Sequence, residues 1–291
     1  MLRRLIVNAD GFGFGPGATQ GILDAIAGGG PITSVSVNAN FPEVSRLEEL
    51  VQKYPHISIG VHVNPIAGRP CLAREKVPSL LDKDGFLRGN GFARAWRRGL
   101  ISPSELESEL DEQIRQVKQM AKDKMTHLDS HQNSHLSYFQ LFVRLARRWS
   151  IPFMRTNASL IGLEADAPKR ARTKAYLRRP HVLAAHLYRR LQMRPAAKAG
   201  LRLADRLVTV GYAGQGNKSR VENWERILKN LPEGTYEIYC HPAYPDEVLR
   251  RWASYVEPRR QELEILRQPY LREIARSAGV RLISFLNLLE A

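Results

Sequence analysis

The sequence predicts an α/β fold, a distorted (β/α) barrel of parallel strands with a basic helical insertion. Three observations predict it. Short β-branched runs alternate with segments of helical periodicity along the chain, the pattern of parallel strands joined by crossover helices. The 291 residues match the length of one such barrel, and neither a linker nor an internal repeat divides them, so 1–291 reads as a single domain. Polar residues also gather where the strand runs end, which in a barrel is the rim that carries active sites.

Taken in order, Leu5, Ile6 and Val7 begin the first strand, which ends in Asn8, Ala9 and Asp10 before the glycine-rich turn GFGFGPG. A helix over Ala18 to Ala27 follows, then the turn GGGP, a strand from Thr33 to Val37 and a helix from Glu43 to Lys53. The third strand spans Ile57 to Val63. Ser102, Pro103 and Glu105 form a capping box with proline at the first helical position, and Leu106, Leu110, Ile114, Val117 and Ala121 recur at helical spacing. Next come a strand at Thr126 to His131, a helix near Phe139 to Trp149 and an extended run, Phe153 to Thr156, behind Pro152. Leu207 to Gly211 reads as strand, and Val221 to Leu231 as a helix with Trp224, Ile227, Leu228 and Leu231 on one face. Tyr236 to Cys240 is a strand, Arg259 to Ala278 a long helix and Arg281 to Phe285 the eighth strand.

A composition of 43% hydrophobic and 25% charged residues excludes disorder as a description of the whole chain. No apolar stretch reaches the roughly 18 to 20 residues of a bilayer crossing, and Asp10 interrupts any signal-peptide core, so a soluble, cytoplasmic protein is expected. Cys71 and Cys240 lie far apart without metal-site spacing, which fits a reducing compartment. The net charge of +15 is concentrated: residues 169–206 hold twelve Lys and Arg against one acid, Asp205. This segment lies in the insertion, 165–206, and reads as a solvated basic helix or a peripheral seat on anionic membrane. Nucleic acid is not the expected partner, because no recognition motif accompanies the charge.

At the strand ends stand Asp10, His62, Asp129, His131, Arg155 and His241, with His135 one turn beyond. Imidazoles converging with a carboxylate form the ligand set of a divalent metal with an open position for water. His62, between Val61 and Val63, reads equally as a buried histidine bonded to backbone. His131, in HLDSHQNSH, reads as a ligand, since each unpaired buried polar group costs about 1 to 3 kcal/mol and this short strand carries many. His135 faces the same way or caps the loop; His127, about 13 Å from His131 at roughly 3.3 Å per residue, is structural. His56, His181 and His186 read as solvated. Asp10 is either a helix N-cap or a carboxylate of the site, and His241, ahead of Pro242, can reach the mouth as a catalytic acid. A rival reading takes Gly13, Gly15 and Ala18 as a dinucleotide fingerprint, but Asp10 would repel a pyrophosphate and no acidic residue closes the second strand.

The motifs NADGFG (8–13), GVHVN (60–64), GRP (68–70), VPSLLDKDG (77–85), THLDSHQ (126–132) and YCHPA (239–243) together make the chain resemble the YdjC-like carbohydrate deacetylases. That group includes chitooligosaccharide deacetylases and the hopanoid-biosynthesis-associated deacetylase. The resemblance implies a distorted (β/α) barrel, a divalent metal ion and removal of an N-acetyl group from an amino sugar in an oligosaccharide or glycolipid. It implies metal binding by His62 and His131 and an acidic site role for Asp10. Two departures stand out: Gly11 occupies the place of a second aspartate, and Gln132 and Asn133 follow His131. Asp10 or Asp129 must then supply the missing oxygen, or the chain is a weakened or inactive relative that binds carbohydrate.

On this reading His62, His131 and an aspartate would hold zinc or magnesium, which would supply Lewis acidity toward the acetamide carbonyl and toward water, whose pKa falls to about 7 in the best zinc cases. Asp10 completes the metal site or takes the water's proton, His241 protonates the leaving amine, and Arg155 orients Asp10 or holds a sugar hydroxyl. Phe12, Phe14, Tyr212 and Tyr244 are available to stack on a sugar face or to pack the core. The sequence leaves a homo-oligomer open.

Overall fold

Successive residues of a strand point to opposite faces, and in this protein the two faces have different chemistry. Along β1 (Arg3–Phe12), Leu5, Val7 and Ala9 join the main hydrophobic core with Ile22 and Leu23 of helix Pro16–Ala27, while Ile6, Asn8 and Asp10 turn to the other side. The computed structural model describes residues 2–160, 180–208 and 220–290. The remaining strands are β2 (Ser34–Val37), β3 (Ser58–Val63), β4 (Met125–Ser130), β5 (Phe153–Met154), β6 (Ser159–Leu160), β7 (Arg206–Val208), β8 (Gly234–Cys240) and β9 (Val280–Leu282).

All pair in parallel, in the order β5-β4-β3-β2-β1-β8-β7-β6, with β9 beside the start of β1. The sheet is strongly curled. Asp10 on β1 and Arg155 just past β5 would stand about 19 Å apart on a flat sheet, at about 4.8 Å per strand. They form an ion pair at 2.7 Å instead. The ends meet along one stretch: Phe153 forms a parallel bridge with Arg202, Met154 N donates to Arg202 O at 3.2 Å, and Ser159 and Leu160 pair with β7. The result is a barrel-like α/β domain with helices outside, as the alternation predicts.

Helix Pro103–Ala121 shows how the outer layer forms. Ser102 Oγ accepts from Glu105 N, Pro103 takes the first turn where no N–H is needed, and Leu106, Leu110, Ile114, Val117 and Ala121 are fully buried against the sheet. Inside the barrel, Ile6, Phe153, Ile283, Phe285 and Leu288 form an apolar floor. The His127 ring stacks on Phe285 with centroids 4.3 Å apart. Gly60 opposite leaves room for it, since a Cβ there would lie 2.2 Å from His127 Nε2.

Several expectations need correction. The expected helix Arg259 to Ala278 is two, Pro258–Leu266 and Tyr270–Ser277, because Pro269 cannot donate to the preceding turn. The last strand does not complete the ring; among the described residues it pairs with Arg3, Arg4 and Leu5, and Phe285–Leu289 is helical. Asp10 does not cap helix Pro16–Ala27, whose N-cap is Gly15. Phe12 is core. Within the expected 165–206 insertion, Pro180–Gln192 and Arg194–Lys198 are helices. Residues 165–179, the strand beyond Val208 and Tyr212 lie outside the described residues, as do the side chains of His181 and His186. His56 is exposed, as expected.

Candidate metal and acid–base centre

Above the apolar floor the inward positions turn polar. His127 is held at both ring nitrogens, Nδ1 lying 3.0 Å from Thr126 Oγ1, and Nε2 3.1 Å from both Asn8 Oδ1 and Ser36 Oγ. Burial lowers its pKa to about 4, so the ring is neutral and structural, as its place in the strand predicts. Asn8 Nδ2 donates to Asp10 Oδ1 at 2.7 Å and to Ser36 Oγ at 2.8 Å, and Ser36 Oγ donates to Asp129 Oδ2 at 2.8 Å.

Arg155 is the hub of this layer. Its Nη1 and Nη2 grip both oxygens of Asp10 at 2.7 Å, Nη2 reaches Asp129 Oδ2 at 2.6 Å, and Nε donates to Glu237 Oε1 at 2.6 Å. Burial alone would raise the Asp10 pKa, but the guanidinium outweighs it and holds the carboxyl well below the usual range. Asp129 is lowered by the same balance. Glu237 goes the other way: burial, helped by the charge of Asp129, raises it to about 7 against the pull of Arg155. Its Oε2 is buried without a hydrogen-bond partner among the described residues.

His62 Nδ1 lies 2.8 Å from Asp129 Oδ1, which orients the ring and leaves Nε2 for another partner, the way a carboxylate orients a metal-bound imidazole. His131 follows β4 directly, its ring centroid 5.6 Å from that of His62 and stacked on Phe14 at 5.3 Å. Burial, then the charges of His62 and Arg259, lower its pKa to about 3, and its Nε2 is buried with no hydrogen-bond partner among the described residues. His241 stands half-buried past β8, edge-on to Tyr239 and Tyr255 at 5.7 and 6.0 Å, and its charge acts on Asp10. The structure thus brings Asp10, His62, His131, Arg155 and His241 to one rim.

His135 takes no part. Its Nδ1 meets Ser130 Oγ and its Nε2 lies 3.1 Å from Asn157 Oδ1, a clamp beneath the loop in which Gln132 and Asn133 hold φ values of 51° and 53°. Tyr244 is also committed elsewhere, its hydroxyl donating to Asp24. Sequence reasoning missed Asn8, Ser36 and Glu237. Strand parity would have found Asn8, which precedes Asp10 by two positions on the same face of β1.

The residues fit a divalent cation. Asp10, His62 and Asp129 each offer a ligand atom, all within 4.8 Å of one another; among the described residues His131, expected as a ligand, is not in that group, its ring centroid lying 5.6 Å from that of His62. Charge is compatible with this. Three buried carboxylates share one guanidinium and the His62 imidazole, and an uncompensated buried ion costs several kcal/mol, so the charge is balanced by a proton on Glu237 together with a positive charge at His62, either a proton or a bound cation.

A parallel barrel with buried ionisable groups and a candidate metal-binding triad at the carboxyl ends of its strands has its polar cluster where barrel enzymes carry their active sites. The YdjC-like protein family model matches residues 4–277, and the chain belongs to that family. It is 31% identical over 274 residues to a carbohydrate deacetylase of Halalkalibacterium halodurans, covering 93% of this chain and 98% of the relative. It is 30% identical over 294 residues to a chitooligosaccharide deacetylase of Yersinia pestis, covering 99% and 100%. A solved structure from Enterococcus faecalis, provisionally designated a cellobiose-phosphate cleavage protein, superposes with a TM-score of 0.73 at 27% identity, covering 99% of each chain.

Proposed function

We propose that this protein is a divalent-metal-dependent carbohydrate deacetylase that hydrolyses the N-acetyl group of an amino sugar in an oligosaccharide or glycolipid. The observation that carries the reading is the Asp10–Arg155 pair set beside His62 and His131, with His241 near enough for its charge to act on Asp10. Family membership and the names of the relatives agree with it.

His62, His131 and one of Asp10 or Asp129 would hold the ion. Zinc suits the imidazoles and magnesium the oxygens. When bound, it supplies a polarised acyl oxygen and an acidified water. Asp10, kept ionised by Arg155, receives the proton of the attacking water, and His241 delivers a proton to the amine nitrogen as the C–N bond breaks. Acetate and the free amino sugar result. Arg155 fixes both Asp10 oxygens, so the base keeps one orientation through the step. Phe14, buried against Phe41, stacks on His131 and holds that ring in place.

The test is acetate release from N-acetylglucosamine oligomers and N-acetylglucosaminyl lipids, with metal analysis of the purified protein. Chelation should abolish turnover and zinc or magnesium restore it. A metal-free protein that releases no acetate after metal addition would overturn the reading. One observation favours a second reading, a carbohydrate-binding relative with weakened turnover: Gly11 sits in a bulge of β1 at φ 104°, where the family pattern has an aspartate. Sugar binding without acetate release would select it.

A further inference from the structure

Helix Pro180–Gln192 carries Ala184, Leu187, Tyr188 and Leu191 at spacings of three, four and seven residues, which turn one face to a core in an ordinary surface helix. Here that face is turned outward. Leu187 is 54% exposed, Tyr188 66% and Leu191 50%, and Ala184 is exposed with them. Arg189, Arg190, Arg194 and Lys198 are exposed on the same helical segment and the one after it.

The other end of this segment is anchored. Met193 and Ala196 belong to the main core, and Met193 Sδ accepts from Asn157 N at 3.2 Å. Asn157 also contacts His135 in the loop that carries His131, so the helix leaves the barrel at the rim that holds the candidate centre. An outward apolar stripe flanked by arginines, in a stretch with twelve cations to one acid, matches a surface that is apolar beneath and anionic above. An acidic protein partner would match the cations but not require so continuous a basic excess.

We propose that this helix seats the protein on a bilayer surface bearing anionic headgroups. Leu187, Tyr188 and Leu191 enter the boundary between headgroups and acyl chains, and Arg189, Arg190, Arg194 and Lys198 lie against lipid phosphates. The seat is independent of whether the pocket hydrolyses an acetamide, because none of these residues touches the centre.

The test is co-sedimentation of the full-length protein with vesicles of phosphatidylcholine alone or mixed equally with phosphatidylglycerol. Binding is expected on the mixed vesicles, about tenfold or more weaker on the neutral ones, and reduced by added salt. The double variants Leu187→Ser with Leu191→Ser, and Arg189→Glu with Arg190→Glu, should each lower partitioning about tenfold. Both should keep the wild-type circular dichroism and melting temperature, since all four side chains are exposed. The proposal is overturned if the wild type stays in the supernatant or if both variants pellet like wild type. Tighter binding to duplex RNA than to anionic vesicles at the same salt, or a dimer that is lost in the leucine variant alone, would also overturn it.

Discussion

Arg155 donates to Asp10, Asp129 and Glu237 at once, a geometry that only a planar fork of donors can meet. Lysine there keeps the charge but not the fork. Arg155→Lys is therefore expected to cost about 3 kcal/mol of stability in urea denaturation and about a hundredfold in acetate release, the latter through a misdirected Asp10. Wild-type rates in that variant would show that Asp10 is positioned by something else. At Gly11 the balance is different. A Cβ would meet nothing within 4 Å, so space is open, but φ 104° is strained for any other residue by about 1 to 3 kcal/mol. Gly11→Asp should thus lower the melting temperature while retaining more zinc through dialysis than wild type. Equal metal retention would mean that Gly11 is not where a ligand was lost.

At the scale of elements, β3 and β4 depend on one fit. Gly60 faces His127 so closely that a Cβ would fall 2.2 Å from Nε2, and the imidazole cannot retreat from Phe285, Asn8 and Ser36. Gly60→Ala should cost about 1 to 3 kcal/mol by overpacking. His127→Ala in the same chain should recover part of that loss in a double-mutant cycle; strict additivity would refute the contact. The elements themselves were mostly legible. Ser102 with Pro103 behind it and the leucine spacing predict helix Pro103–Ala121 closely, although the expected capping box is only half formed, Glu105 Oε2 accepting from Ser79 N while Ser102 N donates to Ser79 Oγ; polar strand ends predict which residues share the rim. The break at Pro269 was written in the sequence as well, yet apolar spacing continues across it, so periodicity alone reads one helix. Glu237 was hidden for another reason. Between Tyr236 and Ile238 it resembles the solvent-facing residue of a half-exposed strand, and only closure of the sheet places it inside.

For the whole molecule, the polar interior ties stability to pH in two opposing ways. His127 and His135 drop from 6.5 to about 4, so each contributes stability that is complete above pH 6.5 and is lost as pH falls toward 4. Burial is the main cause in both. Glu237 rises from 4.5 to about 7, so its contribution is complete below pH 4.5 and is lost as pH rises toward 7. Between 4.5 and 6.5 the histidines outnumber it, and acidification should destabilise the fold. Glu237→Gln removes the opposing slope, so its stability should fall faster on acidification than wild type by about 1.4 kcal/mol per pH unit. Urea midpoints measured across that window decide it; parallel curves for the two proteins would remove Glu237 from the balance.

The stretch 153–160 belongs to β4 on one side and to β7 on the other, with Arg155 in its middle. Closure of the cylinder and assembly of the charged hub are therefore a single event. A backbone nick between Asn157 and Ala158, or new termini made there by circular permutation, should let the hoop spring and scatter the carboxylates together. The same cut in an outer loop would spare both.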